Sequence, residues 1–237
     1  MPTVTPSSHP LTLVLLSGGL DSAVLAAHEA LSGSVLPVYV STGLAWEALE
    51  LAMVDHFLAH HAFGGGVRPL MRVEFTMRDV YPPSHWAVRG EAPSYDTADE
   101  AVYLAGRNVV LLSKAGVLAA AHRAHRIAIG PLAGNPFPDA RPSFFQAMQD
   151  ALRLGLDHPI DVVTPFLTWT KEDVIRRGIE LRVPLGLTLS CMSPVRQALT
   201  DAPPLHCGRC SKCRERRDAF AAVGIDDPAT YAAVAPR

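Results

Sequence analysis

The sequence predicts a parallel, doubly wound α/β sheet that carries a small C-terminal element built on cysteines. Three observations lead there. Short apolar runs alternate with longer stretches of helical spacing, the pattern of strand–helix–strand units with parallel pairing. A serine- and glycine-rich turn, Ser17 to Ser22, joins the first apolar run to the first helical stretch. Three of the four cysteines fall within one short segment near the C-terminal end.

Each element follows from its local pattern. Residues 11–16 form an apolar run that reads as a buried strand, and residues 23–31 are a Gly- and Pro-free helix. Leu36, Val38, Tyr39 and Val40 place a second strand in 35–41. Leu49, Met53, Phe57 and Leu58 give residues 45–61 helical spacing, ended by Gly64, Gly65 and Gly66. A third strand is predicted over 70–75. Residues 76–100 are rich in Pro, Ser, Tyr and charge and have no firm period, so they read as an excursion over the open end of the sheet.

The second half repeats the alternation. Residues 108–123 are an Ala-rich helix buried on most of its surface, followed by a strand over 126–130. The Pro- and Gly-dense segment 131–142 follows that strand, where a doubly wound sheet puts its ligand crevice. A helix over 143–154 takes Ser143 as its cap, and 162–166 is a further strand. Thr170 and Asp173 have capping-box spacing at the start of a helix running to about Arg182.

Composition narrows the function. Apolar residues make up 49% of the 237, ample for a core; charged residues make up 19% and the net charge is −2. Bulk nucleic-acid binding by a basic surface is not expected. Residues 1–10 read as a flexible polar tail rather than a leader, and the run at 11–16 is far too short to span a membrane. A cytoplasmic location is expected.

The turn Ser17-Gly18-Gly19-Leu20-Asp21-Ser22 has the makings of an anion site. Its glycines allow close approach of backbone to a phosphate, and the N–H groups of the following helix point at it. Asp21 would repel a bare phosphate, but not one bridged to it by Mg²⁺. The plainer reading is a strand-to-helix turn with Asp21 as N-cap. Lys171 also has two readings. It is an exposed lysine in a first helical turn, where the dipole disfavours a cation, or it reaches over to the phosphates.

Cys207, Cys210 and Cys213 make C-x₂-C-x₂-C, with Cys191 upstream. Four thiolates suit a closed, structural Zn²⁺ site. An iron–sulfur cluster uses the same ligands, and ordinary reduced thiols are the third reading. Arg209, Lys212, Arg214, Arg216 and Arg217 surround the cluster and read as a solvated face, or as contacts to an anionic ligand or an acidic partner surface.

Ser17, Gly18, Gly19, Asp21 and Ser22 resemble the S-G-G-x-D-S loop of the PP-loop, N-type ATP pyrophosphatases, a Rossmann-like superfamily. The resemblance becomes narrower with Gly106-Arg107-Asn108, Pro138-Asp139-Ala140-Arg141-Pro142-Ser143-Phe144, Thr170-Lys171, Cys191, Cys207 to Cys213 and Arg217-Asp218-Ala219-Phe220. Their order is similar to that of the 7-cyano-7-deazaguanine synthases, the QueC/ExsB-like enzymes of queuosine precursor biosynthesis. The resemblance implies an ATP-binding α/β domain over 11–186 and a zinc-binding helical element over 187–237. It implies ATP contacts from Leu15, Leu16, Ser17, Gly18, Gly19, Leu20, Asp21 and Ser22. Asp21, Lys171 and Arg107 would serve catalysis, and Glu47, Asp139, Arg141 and Phe144 the substrate. ATP, Mg²⁺ and Zn²⁺ are the implied cofactors, and a 7-deazapurine carboxylate and ammonia the implied partners. A homodimer is the implied assembly.

Departures from the family fall where it handles its substrate. An Arg-His pair after the second strand is replaced within Ser41 to Trp46, Ala140 stands where a Cys is usual, and the gap between Cys191 and Cys207 is longer. The ATP and metal segments are intact. Competing readings are a PP-loop enzyme acting on another deazapurine, a carboxylate or a tRNA base, and a non-catalytic zinc-stabilised binding protein.

Overall fold

The computed structural model describes residues 10–60, 66–197 and 201–232. Five strands form one sheet in the order β3-β2-β1-β4-β5, every pair parallel. They are β1 Leu11–Leu15, β2 Ser34–Ser41, β3 Met71–Glu74, β4 Arg126–Ala128 and β5 Asp161–Val163. The helices are α1 Leu20–Glu29, α2 Glu47–His60, α3 Trp86–Arg89, α4 Arg107–His122, α5 Pro142–Leu156, α6 Lys171–Glu180 and α7 Ser211–Val223. The chain winds outward from β1 through β2 to β3, then returns to β4 and β5 on the other side. The direction of winding therefore reverses between β1 and β4, the place where open α/β sheets bind ligands.

The sheet is covered on both faces at its centre, so β1 and β2 are buried on both sides, while the edge strands β3 and β5 carry exposed polar residues. Leu13, Leu15, Leu36, Val38 and Val40 face Leu112, Ala115 and Ala119 of α4 and Phe145 and Leu152 of α5. Val14, Val35 and Tyr39 point the other way, toward α1, Phe57 of α2, Val174 and Ile175 of α6 and Phe220 of α7. Period-two alternation in β1 and β2 thus feeds two separate cores. Gly178 lets α6 lie close to α1: an added Cβ would meet Leu185 at 2.8 Å and Val24 at 3.0 Å.

Several boundaries differ from the sequence expectation. Helix α1 starts at Leu20 with Gly19 as its N-cap, so Asp21 lies in the first turn and is not the cap. Helix α5 starts at Pro142 with Arg141 in the N-cap position, which displaces Ser143; proline is pre-set for the first helical residue and lacks only an N–H the helix would not use. Strand β5 spans Asp161–Val163, and the chain then turns, with Leu167 N–H donating to Thr164 O and Trp169 N–H to Phe166 O. The capping box of α6 forms as expected, with Thr170 and Asp173 exchanging hydrogen bonds. Residues 1–9 of the expected tail, and Gly64 and Gly65 of the expected helix end, lie outside the described residues.

A third cluster closes the C-terminal edge of the sheet. Leu44, Trp46, Met53, Met77, Tyr81, Val102 and Leu104 pack with the four cysteines and Leu189. The excursion after β3 is therefore part of a core. It contains α3, capped by His85, and it pairs with the cysteine segment through a bridge between Ser94 and Cys210. No described helix is long and apolar enough to cross a membrane.

Candidate functional site

A crevice of about 520 Å³ opens at the C-terminal ends of the strands, where the winding reverses. That volume suits a small-molecule ligand. The turn after β1 forms one wall. Gly18 adopts φ +79°, in the left-handed region, and an added Cβ would lie 2.8 Å from Val54 Cγ2 and 3.3 Å from the Glu50 carbonyl. Only glycine lets the turn sit this close to α2. Ser22 Oγ donates to Gly19 O at 2.9 Å and accepts from Ser17 N–H at 3.2 Å, which fixes the loop around the start of α1.

Charges in the crevice come in linked pairs. Lys171, the first residue of α6, places its Nζ 2.7 and 2.9 Å from the two Asp21 oxygens and 3.1 Å from Glu215 Oε1. Lys212 Nζ lies 2.5 Å from Glu215 Oε2. Burial disfavours the Lys171 ammonium, but the Asp21 and Glu215 carboxylates outweigh it and raise its pKa above the usual lysine range. Burial likewise pushes Glu215 up, and Lys171 and Lys212 overcome it and hold the carboxyl down at about 2. Lys171 is thus a fixed cation facing the Ser17–Ser22 turn.

Arg107 opens α4 and lines the same crevice, with its buried Nε making no hydrogen bond. A buried guanidinium N–H without a partner costs stability unless a ligand supplies an acceptor. Asp139 also lines the crevice; it accepts the Asn108 N–H at 3.2 Å, and burial raises its pKa.

Of the expected ATP contacts, Leu15, Leu16, Ser17, Gly19, Leu20, Asp21 and Ser22 line the crevice, together with Lys171, Arg107 and Asp139. Gly18 sits behind the wall against α2. Glu47, Arg141 and Phe144 are not among the lining residues. The Glu47 carboxylate is spent on its own loop, accepting from Ser41 Oγ, Thr42 N–H and Oγ1, and Gly43 N–H at 2.6–3.0 Å. Arg141 is exposed at the start of α5, and Phe144 packs beside Phe145 in the α4–α5 core.

The structure adds residues that local sequence does not flag. Tyr39, Trp46, Glu50, Trp86 and Glu215 line the crevice, beside Tyr103, Phe137 and Lys212. The basic run around the cysteines is not one solvated face. Arg216 is buried and bonds Asp227, Thr188 and Leu185, while Arg217 lies 3.9 Å over the Tyr231 ring. Helical spacing, visible in the sequence, would have put Lys212 and Glu215 on one face of α7.

The four cysteine sulfurs lie within 4.8 Å of one another and are all buried. A tetrahedral metal with metal–sulfur bonds of about 2.3 Å needs sulfurs about 3.8 Å apart. Cys207 and Cys213 are 3.9 Å apart, and Cys210 and Cys213 are 3.5 Å apart. Backbone N–H groups of Cys207 and Arg209 point at Cys191 and Cys207 sulfurs, the support that metal thiolates receive. The donor set therefore fits a metal. The knot is tied to the crevice, because Leu189 N–H donates to Gly18 O at 2.7 Å and Ser190, Cys191 and Met192 line it.

A parallel α/β sheet with a Ser-Gly-Gly-x-Asp-Ser turn at its switch point, and a lysine facing that turn, is the framework of a PP-loop protein. The chain belongs to the QueC family: the model described as "Queuosine biosynthesis protein QueC" matches residues 11–224. A protein of Azoarcus sp. named 7-cyano-7-deazaguanine synthase is 34% identical over 94% of this chain and 98% of its own length. One of the same name from Methanoculleus marisnigri is 33% identical over 92% and 96%. Among solved structures, a predicted subunit of tRNA methyltransferase from Methanocaldococcus jannaschii covers 72% of this chain and 75% of its own, with a TM-score of 0.46 and 16% identity.

Proposed function

We propose that this chain is a cytoplasmic ATP-dependent ligase that converts 7-carboxy-7-deazaguanine and ammonia to 7-cyano-7-deazaguanine. The observation that carries the reading is the pairing of the Ser17–Ser22 turn with Lys171 and Arg107 in one crevice, in a chain of the QueC family. In the first step a carboxylate oxygen of the substrate bonds to the α-phosphorus of ATP and pyrophosphate leaves. Ammonia then adds to the acyl carbon, loses a proton and expels AMP, giving the amide. A second ATP is attacked by the amide oxygen with loss of pyrophosphate. Loss of the nitrogen protons and of AMP leaves the nitrile.

The protein's part is to hold and neutralise. The N–H groups of the turn and the start of α1 bind phosphate oxygens, and Ser17 and Ser22 shape that cradle. Lys171 and Arg107 stabilise the negative charge that develops as pyrophosphate leaves. The apolar residues of the crevice keep water from the acyl-adenylate. Asp21 would hold Mg²⁺ through a carboxylate oxygen, and the metal would supply further charge neutralisation. Cys191, Cys207, Cys210 and Cys213 would hold Zn²⁺ in a closed structural site with no position open for catalysis.

The test is AMP and pyrophosphate release by the zinc-loaded protein with ATP, Mg²⁺ and ammonium, with and without 7-carboxy-7-deazaguanine, the product followed by mass. Two AMP per nitrile is the expected result. AMP release without nitrile would move the reading to another acceptor. The homodimer implied by the family is tested by sedimentation of the same preparation.

A further inference from the structure

Glu50 is a carboxylate in the wall of the crevice that the scheme above does not use. It is 7% exposed and lines the cavity beside the turn. Tyr39 Oη donates to its Oε2 at 2.9 Å, and the Trp46 indole also hydrogen-bonds it. The Trp46 ring stacks on Trp86, with centroids 5.6 Å apart and planes 10° apart, and both rings line the crevice. Arg107 acts on Glu50 by charge.

A buried carboxylate is costly where the fold has no use for it. Glu50 is not needed to hold a loop, as Glu47 is. An ionised carboxylate accepts at about four lone-pair sites, so the partners of Glu50 leave acceptor capacity. A ligand that completes the set presents hydrogen-bond donors, beside the aromatic Trp46 and Trp86 rings.

We infer that Glu50 reads the donor edge of the heterocycle, accepting hydrogen bonds from the ring N1–H and the 2-amino group of a 7-deazaguanine. This rests on the ligase reading above. Those two donors lie side by side and match one carboxylate in the bidentate manner. The adenine of ATP does not match, because its ring nitrogen beside the amino group is an acceptor and would face the carboxylate oxygen. Glu50 therefore selects the acid substrate and not the nucleotide. The carboxyl group that reacts sits on the five-membered ring, away from the edge being read, so the two anions do not compete for one place. Burial raises the Glu50 pKa to about 7, which leaves the group responsive to donors that favour its charged form.

The experiment compares wild type, Glu50→Gln and Tyr39→Phe on 7-carboxy-7-deazaguanine and on its analogue without the 2-amino group. The readouts are kcat and KM from AMP release, with a melting curve for each protein. Wild type is expected to prefer the amino compound by about tenfold to a hundredfold in kcat/KM, the scale of a hydrogen bond to a charged group. In Glu50→Gln that preference is expected to fall below about threefold, through a higher KM for the amino compound. Tyr39→Phe keeps the carboxylate but loosens it, and the preference is expected to fall part-way; it keeps the test alive if Glu50→Gln fails to fold. An active wild type whose variants keep the full preference would overturn this inference alone, even if both lose activity on both compounds. A wild type that releases no AMP with either compound would overturn the ligase reading and this inference with it.

Discussion

Lys171 Nζ lies within 2.9 Å of both carboxylate oxygens of Asp21, although the two residues are 150 positions apart in the chain. The close approach of α6 to α1 at Gly178 makes this possible. The pair fixes a cation beside the Ser17–Ser22 turn, held by the Asp21 and Glu215 carboxylates. Replacing Lys171 with Met is expected to lower kcat for AMP release by about 10²–10³, the loss typical of one preorganised charge-stabilising donor. Lys171→Arg is expected to recover little, because Asp21 and Glu215 hold a compact ammonium between them and a planar guanidinium does not fit the same two contacts. Steady-state kinetics with pyrophosphate detection checks both.

Gly18 tests the turn itself. Gly18→Ala places a Cβ against Val54 and the Glu50 carbonyl at a backbone angle that L residues rarely adopt. The strain is expected to cost about 1–3 kcal/mol of stability. The same change displaces the Gly18 carbonyl that receives the Leu189 N–H. ATP affinity should therefore fall together with the urea midpoint. Ala substitution at the exposed Gly155, in the last turn of α5 with nothing within 4 Å of its Cβ position, is expected to leave ATP affinity unchanged and to hold or raise the urea midpoint.

These two sites also show what the sequence could and could not reveal. The strand alternation and the glycine turn are local, so the sheet, the capping box at Thr170 and the crevice wall were legible in advance. The C-x₂-C-x₂-C spacing is local as well. Lys171 stood between two readings, because its partner Asp21 is contributed from another layer of the fold. Glu50 falls in the helix read over 45–61 with no local feature to mark it; its place in the crevice wall beside Tyr39 comes from packing between α2 and β2. Glu47, Arg141 and Phe144 followed from family order, and the structure turns them toward a loop, solvent and the α4–α5 core. A motif fixes which residues are near in sequence, whereas the direction of a side chain depends on packing between layers.

Arg216 shows the same limit within the basic run. It is 2% exposed and bonds Asp227 through Nε at 2.9 Å, Thr188 through Nη1 at 2.7 Å and Leu185 O through Nη2 at 2.9 Å. Removing only the counter-charge leaves a buried guanidinium uncompensated. Asp227→Ala is expected to destabilise the protein by about 3–5 kcal/mol, and the double variant Arg216→Met, Asp227→Ala by clearly less. Urea denaturation of the three proteins checks the ordering.

The cysteine knot should be felt at the crevice. Leu189, two residues before Cys191, donates its N–H to the turn, and the knot packs with Trp46, Tyr81 and Leu104. Stripping the metal with a chelator, or Cys210→Ser, is expected to lower the melting temperature and to weaken ATP binding measured by calorimetry. Metal analysis is expected to give one zinc ion per chain before stripping. A melting temperature unchanged by complete metal removal would contradict the assignment of these thiols to a structural site.

Glu50 gives the stability curve a direction with pH. Burial, the largest influence, raises its carboxyl to about 7 from an ordinary 4.5, while Arg107 and the Tyr39 hydroxyl pull the other way. A carboxyl whose folded value exceeds its unfolded value binds its proton more tightly in the folded chain. This group therefore imposes no penalty below pH 4.5. The penalty grows as pH rises from 4.5 to 7 and levels off above 7 at about 3 kcal/mol. Glu50→Gln removes the titration while keeping the shape of the side chain. The variant is expected to be more stable than wild type by up to about 3 kcal/mol at pH 8, and the gap to shrink to within about 1 kcal/mol at pH 5. Urea denaturation at both pH values measures the gap. A variant less stable than wild type by the same amount at pH 5 and pH 8 would mean that the carboxylate serves the fold through its charge. That result would remove the physical reason for assigning it to a ligand.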